Sequence, residues 1–491
     1  MRADAEIELN GSNLSIEALS RIVGGARVAP SPGAMEAMAA ARTVIDQAVA
    51  ERRPVYGVTT GLGPSVVHAL DGDELERFSL TTVRGRAHGV GEDLPEAVCR
   101  AALAVRLNTL LIGAAGARPA LAATLTEMLN AGLSPAIRAV GSIGAADLMQ
   151  GGDFGAAVIG EGRIWRTGEI TPAREALLAA AIAPYAPGPR EGLALVSHSS
   201  ISAALAATGV ARAETALQAM QQAAALSMEG FRANLSILDP DLLALRPQSG
   251  QTRIAEELSD MLRGSALWTP GEARRLQDPL SIRNVPQIHG ALRAALDHAR
   301  DAAEAEINGA SDNPGVVAAR GEVASHGGYL TPHLMIALSG LSLALAQAAA
   351  CQAARIQKMV TGRFTDLPNG LTSAGAAGAG LSPVMKTVEA LAAEIAREAA
   401  APPIYPGVSA DGLEDVAVHA NLVGKALLRA LDHQRRLSAI ELIVAAQAVE
   451  VRGAPIAPYL EAIRARIRLD SPRFEADRPL GDEIEAVAAR L

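Results

Sequence analysis

From about residue 200 onward the chain is written in long stretches that almost nothing interrupts. Ile201 to Ala233, Leu334 to Met359 and Leu413 to Val451 are rich in Ala, Leu and Gln with few breakers, so each reads as one long helix. Their apolar residues fall on more than one face. A helix that is apolar all round has to be buried against several neighbours. The pattern therefore predicts a large helical bundle, extended across copies of the chain.

The first 200 residues read differently. They carry short β-branched pieces (Val55 to Thr60, Ala157 to Ile159), frequent glycine and helices of ordinary length. The expectation is a mainly α fold in two regions that share one core. Residues 1–200 form a mixed region holding the active-site loops, and residues 201–491 form the bundle. With 491 residues, 49% of them hydrophobic, the chain can bury a core of that size. Glycine-rich stretches at Gly57 to Gly63, Gly141 to Gly155, Gly327 to Gly328 and Gly370 to Gly380 are loops between rigid helices, where function usually sits.

Several classes are set aside at this point. A formal net charge of −9 argues against nucleic acid as a partner, because phosphate binding needs basic surface. The two cysteines, Cys99 and Cys351, have no CxxC spacing, which excludes a disulfide framework or a cysteine-rich zinc site and fits a reducing cytoplasm. No metal is expected. The start, Met1 to Glu6, is acidic and has no apolar signal-like core. The best membrane candidate, Leu334 to Ala354, is broken by Ser339, Gly340, Ser342, Gln347 and Gln352; a buried bundle helix explains it better than a span. The expectation is a soluble, cytoplasmic protein with no membrane partner.

Three segments carry chemistry-bearing residues. Tyr56 opens a loop that runs through Gly57, Gly61 and Gly63. Its phenol can accept a proton where cations stand close, or it can be a plain aromatic anchor. Gly141-Ser142-Ile143-Gly144-Ala145-Ala146-Asp147-Leu148 is a run of small residues that lets backbone approach a ligand closely, or a close-packed turn. Gln277-Asp278-Pro279-Leu280-Ser281-Ile282-Arg283 ends in an arginine able to grip a carboxylate in a bidentate fork, or in a plain surface arginine. Carboxylates at Glu306, Asp312 and Glu414 flank long helices, where they usually serve as caps or solvated faces.

In this order and spacing, the segments resemble the histidine, phenylalanine and tyrosine ammonia-lyase family, from about Val55 to about Arg452. Arg190-Glu191-Gly192-Leu193-Ala194-Leu195, Leu235 through Arg246-Pro247 to Gly250-Gln251, and Asp312-Asn313-Pro314 belong to the same set. The resemblance implies a long helical bundle and a homotetramer acting on a small molecule. It also implies roles: Tyr56 as the base that takes the β-proton, Arg283 as the clamp on the substrate carboxylate, and Gln277 and Glu414 as pocket residues.

The departures from the family's pattern are just as specific. The family cyclises an Ala-Ser-Gly tripeptide into an electrophilic methylidene-imidazolone between a Gly-Ser-x-Gly lead-in and an Asp-Leu pair. Here only Ala145 and Ala146 lie between Gly144 and Asp147. The serine is absent and the count is one short, so that electrophile cannot form by the family's route, and no cofactor is expected. The family's asparagine after Leu-Ala-Leu is replaced in Val196-Ser197-His198, its second tyrosine is Leu280, and its Asn-Phe-His turn reads Gly328-Tyr329-Leu330. The ring-selecting position falls on Arg86, with His88 two residues on, and Lys386 occupies a position that is normally uncharged.

Loss of the electrophile with gain of cations points to a substrate that needs less activation. A quaternary ammonium leaves as a neutral amine, and a ring carrying an anionic sulfur suits Arg86 and Lys386. Both features meet in ergothioneine, which relatives called ergothionases convert to thiourocanate and trimethylamine. The expected catalytic residues are Tyr56, Lys386 and Arg86. The expected substrate contacts are Arg283, Gln277, Glu414, Ser197, His198, His88, Tyr329 and Leu280. Two alternatives stand beside this reading: ammonia elimination from histidine or an aromatic amino acid, and a small-molecule-binding relative without turnover.

Overall fold

The computed structural model describes residues 6–372, 378–404 and 406–491. The start of the acidic N-terminus, and residues 373–377 within the Gly370–Gly380 stretch, lie outside the described residues. The chain is mainly α-helical, and its strands are short and paired in twos and threes.

By internal packing the chain divides into two compact units, neither a single stretch of sequence. The first takes residues 1–211, 300–338 and 402–425; the second takes 212–299, 339–401 and 426–491. The composition boundary at residue 200 falls near the first crossing, but each unit is then built from segments far apart in sequence.

The first unit is organised around the helix Glu96–Leu110, buried at every position from Val98 to Leu110. Polar residues survive there through specific hydrogen bonds. Arg100 donates to the Ile22 and Leu129 carbonyls at 2.8 and 2.9 Å. Asn108 donates to the Ile307 carbonyl at 2.9 Å. Strands Leu133–Pro135, Arg163–Arg166 and Glu169–Pro172 form an antiparallel sheet, and Val90–Asp93 pairs with Arg138–Val140. The β-branched piece at Ala157 to Ile159 is the end of the helix Leu148–Val158 and not a strand; there burial against the first unit's core outweighs local preference.

Long helices appear where the uninterrupted runs stand, at Ser200–Phe231, Pro332–Met359 and Ala420–Arg452. The last begins later than the expected Leu413. Residues Glu414–Val416 instead pair antiparallel with the neighbouring Pro406–Ser409, a hairpin that overrides the helical pattern. Among the described residues two stretches are long and apolar enough to cross a membrane: Glu191–Phe231, whose apolar window is 89% buried, and Pro332–Met359, whose window is half buried.

The second unit carries a buried ion pair. Arg355 Nε and Nη2 donate to Glu441 Oε1 and Oε2 at 2.5 and 2.9 Å, with both side chains fully enclosed. Ser227 Oγ adds a third bond to Glu441 at 2.7 Å. Arg355 Nη1 also donates to the Ser281 carbonyl at 3.0 Å, which pins the short helix Leu280–Arg283 in place.

Candidate active site

In the first unit the Gly141–Gly144 lead-in is locked by its own serine. Ser142 Oγ accepts the Gly144 N–H at 3.0 Å and donates to Asp147 at 2.5 Å. Gly144 has φ +79°, and a Cβ there would lie 1.5 Å from the Val418 carbonyl oxygen, so no other residue fits. Asp147 is fully buried. Its carboxylate also takes the Ser202 hydroxyl at 2.7 Å and the Ser202 N–H at 2.8 Å. Burial raises its pKa, and these three bonds and Lys425 oppose the rise.

Ala145 and Ala146 follow as ordinary backbone. Ala145 makes a β-bridge with Leu330. The Ala146 N–H donates to the Tyr329 carbonyl at 3.3 Å, and the Ala146 carbonyl accepts the His198 N–H at 3.1 Å. A cyclised cofactor would need a serine to dehydrate and free amide groups to condense. No serine stands between Gly144 and Asp147, so the residues do not fit that group. Among the described residues no cluster of three or more His, Cys, Asp or Glu is placed to hold a metal ion.

Of the expected residues, Tyr329 meets this turn through its backbone, and Arg86 keeps Tyr56 and Glu414 within electrostatic reach. Tyr56 is half-buried, and its phenolic oxygen accepts the Gly63 N–H at 3.0 Å. Arg86 lies just beyond the helix Gly72–Arg84. The helix Leu148–Val158 packs so tightly on it that a Cβ on Gly152 would come within 2.0 Å of the Arg86 carbonyl. The Arg86 guanidinium interacts electrostatically with both Tyr56 and Glu414. Burial lowers its pKa, and those two groups push it back up. Tyr329 is half-buried, with its carbonyl shared between Ala146 and the Ser199 hydroxyl, the latter at 3.1 Å.

Other expected residues sit differently. The His198 ring is fully buried inside the first unit. Its Nε2 bonds the Leu195 carbonyl at 3.1 Å and its Nδ1 pairs with Ser200 Oγ at 2.6 Å. Since the carbonyl can only accept, Nε2 carries the proton and Ser200 donates to Nδ1. Both nitrogens are engaged, so His198 supports the turn through its backbone and offers no ring nitrogen to a ligand. Ser197, beside it, is half-buried, and His88 is exposed.

Arg283, Gln277, Leu280 and Lys386 belong to the second unit. Arg283 is half-buried, and among the described residues its guanidinium makes no hydrogen bond or ion pair, which leaves it open to a carboxylate. Gln277 is exposed, Leu280 is 64% exposed, and Lys386 is exposed on the first turn of the helix Val384–Glu398. Asp278 is held by the Asn234 N–H at 2.7 Å.

Sequence reasoning missed a buried charge network. Asp312, read as a cap or solvated carboxylate, is 1% exposed and takes Arg106 in a two-pronged pair, at 2.8 and 3.0 Å. Arg106 also donates to the Ala194 carbonyl at 2.6 Å. The only hint in the sequence is that Asp312 heads the Asp-Asn-Pro turn.

Solved structures of similar fold place the chain in a class of helical lyases and aminomutases. The ergothionase of Treponema denticola, solved with desmethyl-ergothioneine sulfonic acid, is similar with a TM-score of 0.94 at 28% identity, covering 99% of this chain and 98% of that one. The histidine ammonia-lyase of Trypanosoma cruzi is similar with a TM-score of 0.91 at 27% identity, over 99% and 93%. The sequence matches the aromatic amino acid lyase family over residues 14–469. It is also 32% identical to the histidine ammonia-lyase of Geobacillus sp. strain WCH70, over 99% of this chain and 96% of that relative. The chain belongs to the aromatic amino acid lyase family.

Proposed function

We propose that this lyase eliminates a tertiary amine from a betaine of a sulfur-bearing imidazole amino acid: trimethylamine from ergothioneine, leaving thiourocanate, with no methylidene-imidazolone. One observation carries the reading. Between Gly144 and Asp147 stand two alanines and no serine to dehydrate, while Arg86 keeps Tyr56 and Glu414 within electrostatic reach. A proton acceptor kept where the electrophile is lost suits a substrate whose leaving group needs no activation. The similarity to an ergothionase agrees with it.

The balance is simple. Tyr56 takes the Cβ proton, the C–H electron pair becomes the Cα=Cβ bond, and the Cα–N pair departs with neutral trimethylamine. Negative charge that develops at Cβ delocalises into the ring and its sulfur, where Arg86 and Lys386 stabilise it. Arg283 grips the carboxylate. Gln277, Glu414, Ser197, Tyr329 and Leu280 line the substrate in this reading. The assembly is a homotetramer in which loops of several copies complete each site. The enzyme works in the cytoplasm, which suits two free, buried cysteines.

A second reading draws on the histidine ammonia-lyase relatives at 32–33% identity over nearly their full length: elimination of ammonia from histidine, with cations standing in for the electrophile. Ultraviolet spectra of the protein mixed separately with ergothioneine and with histidine distinguish them. A conjugated acrylate from ergothioneine alone supports the proposal, the same from histidine alone supports the second reading, and silence on both points to a binding protein.

A further inference from the structure

One histidine that the proposed reaction leaves unused has both ring nitrogens spent on backbone. His326 lies at the surface of the first unit, two residues past the hairpin of Gly315–Val317 and Glu322–Ala324. Its backbone N–H donates to Asn313 Oδ1 at 2.9 Å. Nε2 pairs with the Asp312 carbonyl at 2.7 Å, and Nδ1 meets the Gly328 N–H at 3.0 Å. A carbonyl can only accept and an amide N–H can only donate. A single neutral tautomer therefore satisfies both contacts: Nε2 carries the proton and Nδ1 is bare. The ring also fills a slot between two glycines. A Cβ on Gly315 would lie 2.8 Å from Nε2, and one on Gly328 would lie 2.9 Å from Nδ1. Neither glycine has a positive φ, so it is the ring, and not the backbone conformation, that leaves no room for a side chain at either.

The two ends of this link are unlike. At one end Asp312 is buried and gripped by Arg106 at 2.8 and 3.0 Å, which fixes its main chain from inside the unit. At the other, the exposed Gly328 stands one residue before Tyr329. The Tyr329 carbonyl accepts the Ala146 N–H at 3.3 Å and the Ser199 hydroxyl at 3.1 Å. Leu330 bridges Ala145, and its N–H closes the turn on the Gly327 carbonyl at 3.2 Å. His326 thus ties a rigid buried pair to the turn that meets Ala145 and Ala146.

We infer that His326 is a positioning residue for the elimination: it hooks the Gly327–Leu330 turn to the buried Arg106–Asp312 pair and so sets where Tyr329 stands against Ala145 and Ala146. The inference rests on the reading of Tyr329 as part of the substrate's wall. His326 acts through the turn and not on the substrate. A turn of exposed residues holds a side chain to the roughly 0.5 Å that a substrate wall needs only where something stiff anchors it. Two hydrogen bonds from one ring to two backbone segments supply that anchor.

The test uses the intact protein. His326→Ala removes the ring, whereas Gly328→Ala and Gly315→Ala leave it in the chain but push it out of its slot. Each of the three raises the KM for ergothioneine by about tenfold, the effect of one or two lost hydrogen bonds, and changes kcat less. A mere loss of folded protein would lower kcat and leave KM untouched. Because Gly328→Ala acts through the ring, adding it to His326→Ala raises KM no further. Effects that add in the double variant overturn the inference. Hydrogen exchange read by mass spectrometry follows the turn without substrate: the amides of residues 327–331 exchange about tenfold faster in His326→Ala than in the parent. Unchanged exchange overturns the inference, and so does faster exchange with a parental KM where Tyr329→Ala impairs turnover. If ergothioneine is not turned over, or Tyr329→Ala handles it like the parent, the reading of the substrate wall fails by itself. The exchange rates then still decide whether His326 holds the turn.

Discussion

The Gly63 amide donates to the phenolic oxygen of Tyr56 at 3.0 Å across the loop that separates them. The bond ties the tyrosine to its own glycine-rich turn and fixes where the ring points. Tyr56→Phe removes this bond together with the proton acceptor of the proposed reaction. Turnover of ergothioneine falls by about 10²–10⁴-fold, while thermal stability drops by only about 1 kcal/mol. Near-normal kcat in a folded variant would show that another group takes the proton, with Tyr329 the next candidate.

In the proposed reaction Arg86 and Lys386 act where charge grows in the transition state. Arg86→Gln and Lys386→Met each depress kcat by about tenfold or more, equivalent to about 1.4 kcal/mol, and raise KM less, because an interaction that strengthens only on the way to the transition state shows up in turnover. The loss is larger for a thiolated ring than for a plain imidazole. Steady-state kinetics on both rings checks this; intact turnover in both variants would remove the sulfur argument.

Arg283→Lys keeps the charge but gives up the planar fork. Binding of any carboxylate-bearing substrate weakens by about tenfold, from the loss of one charge-assisted hydrogen bond of about 1.5 kcal/mol. Titration calorimetry with a non-reacting carboxylate analogue measures it directly. Equal affinity for parent and variant would place the carboxylate elsewhere.

The intact mass equals the mass of the sequence, with no loss of water at Ala145 or Ala146. Borohydride and cyanide, which attack the family's electrophile, leave activity unchanged. Inactivation traced to that turn by peptide mapping would refute the cofactor-free reading.

His289 gives a stability prediction. It is fully buried, and among the described residues neither ring nitrogen has a partner. Burial first, then Arg355, brings its pKa from 6.5 to about 3. The unfolded chain therefore binds the proton more readily. His289 stabilises fully above about pH 6.5, and its contribution is lost between there and pH 3, at up to about 1.4 kcal/mol per pH unit. His289→Leu melts no lower than the parent at pH 7 and gains on it steadily as the pH falls. Parallel melting curves of parent and variant down to pH 4 would contradict this.

Helices were legible in the sequence where a single run of apolar residues decides them, as at Ser200–Phe231 and Pro332–Met359. Legibility failed where a partner outside the run decides. Glu414–Val416 leaves the helical pattern because the neighbouring Pro406–Ser409 offers a strand to pair with. Asp312 reads as solvated because its partner Arg106 lies 206 residues away. Tyr56, Arg86 and Glu414 sit in three separate segments, and nothing local to any of them foretells the grouping. Only their order along the chain, matched to a known family, did so.

The Ala145–Ala146 turn has a consequence for descent. Its neighbours have closed over the gap: Leu330 bridges Ala145, Tyr329 and His198 bond Ala146, and Val418 lies where any side chain on Gly144 would stand. A serine codon at Ala145 or Ala146 would restore a hydroxyl but not the missing residue. An inserted residue would have to displace all of these contacts before it conferred any chemistry. No single point change leads back to the cofactor-bearing sequence: it takes both an insertion and a serine, and the insertion has to break the contacts that now close the turn, which sets this lineage apart from its electrophile-bearing kin as by a ratchet.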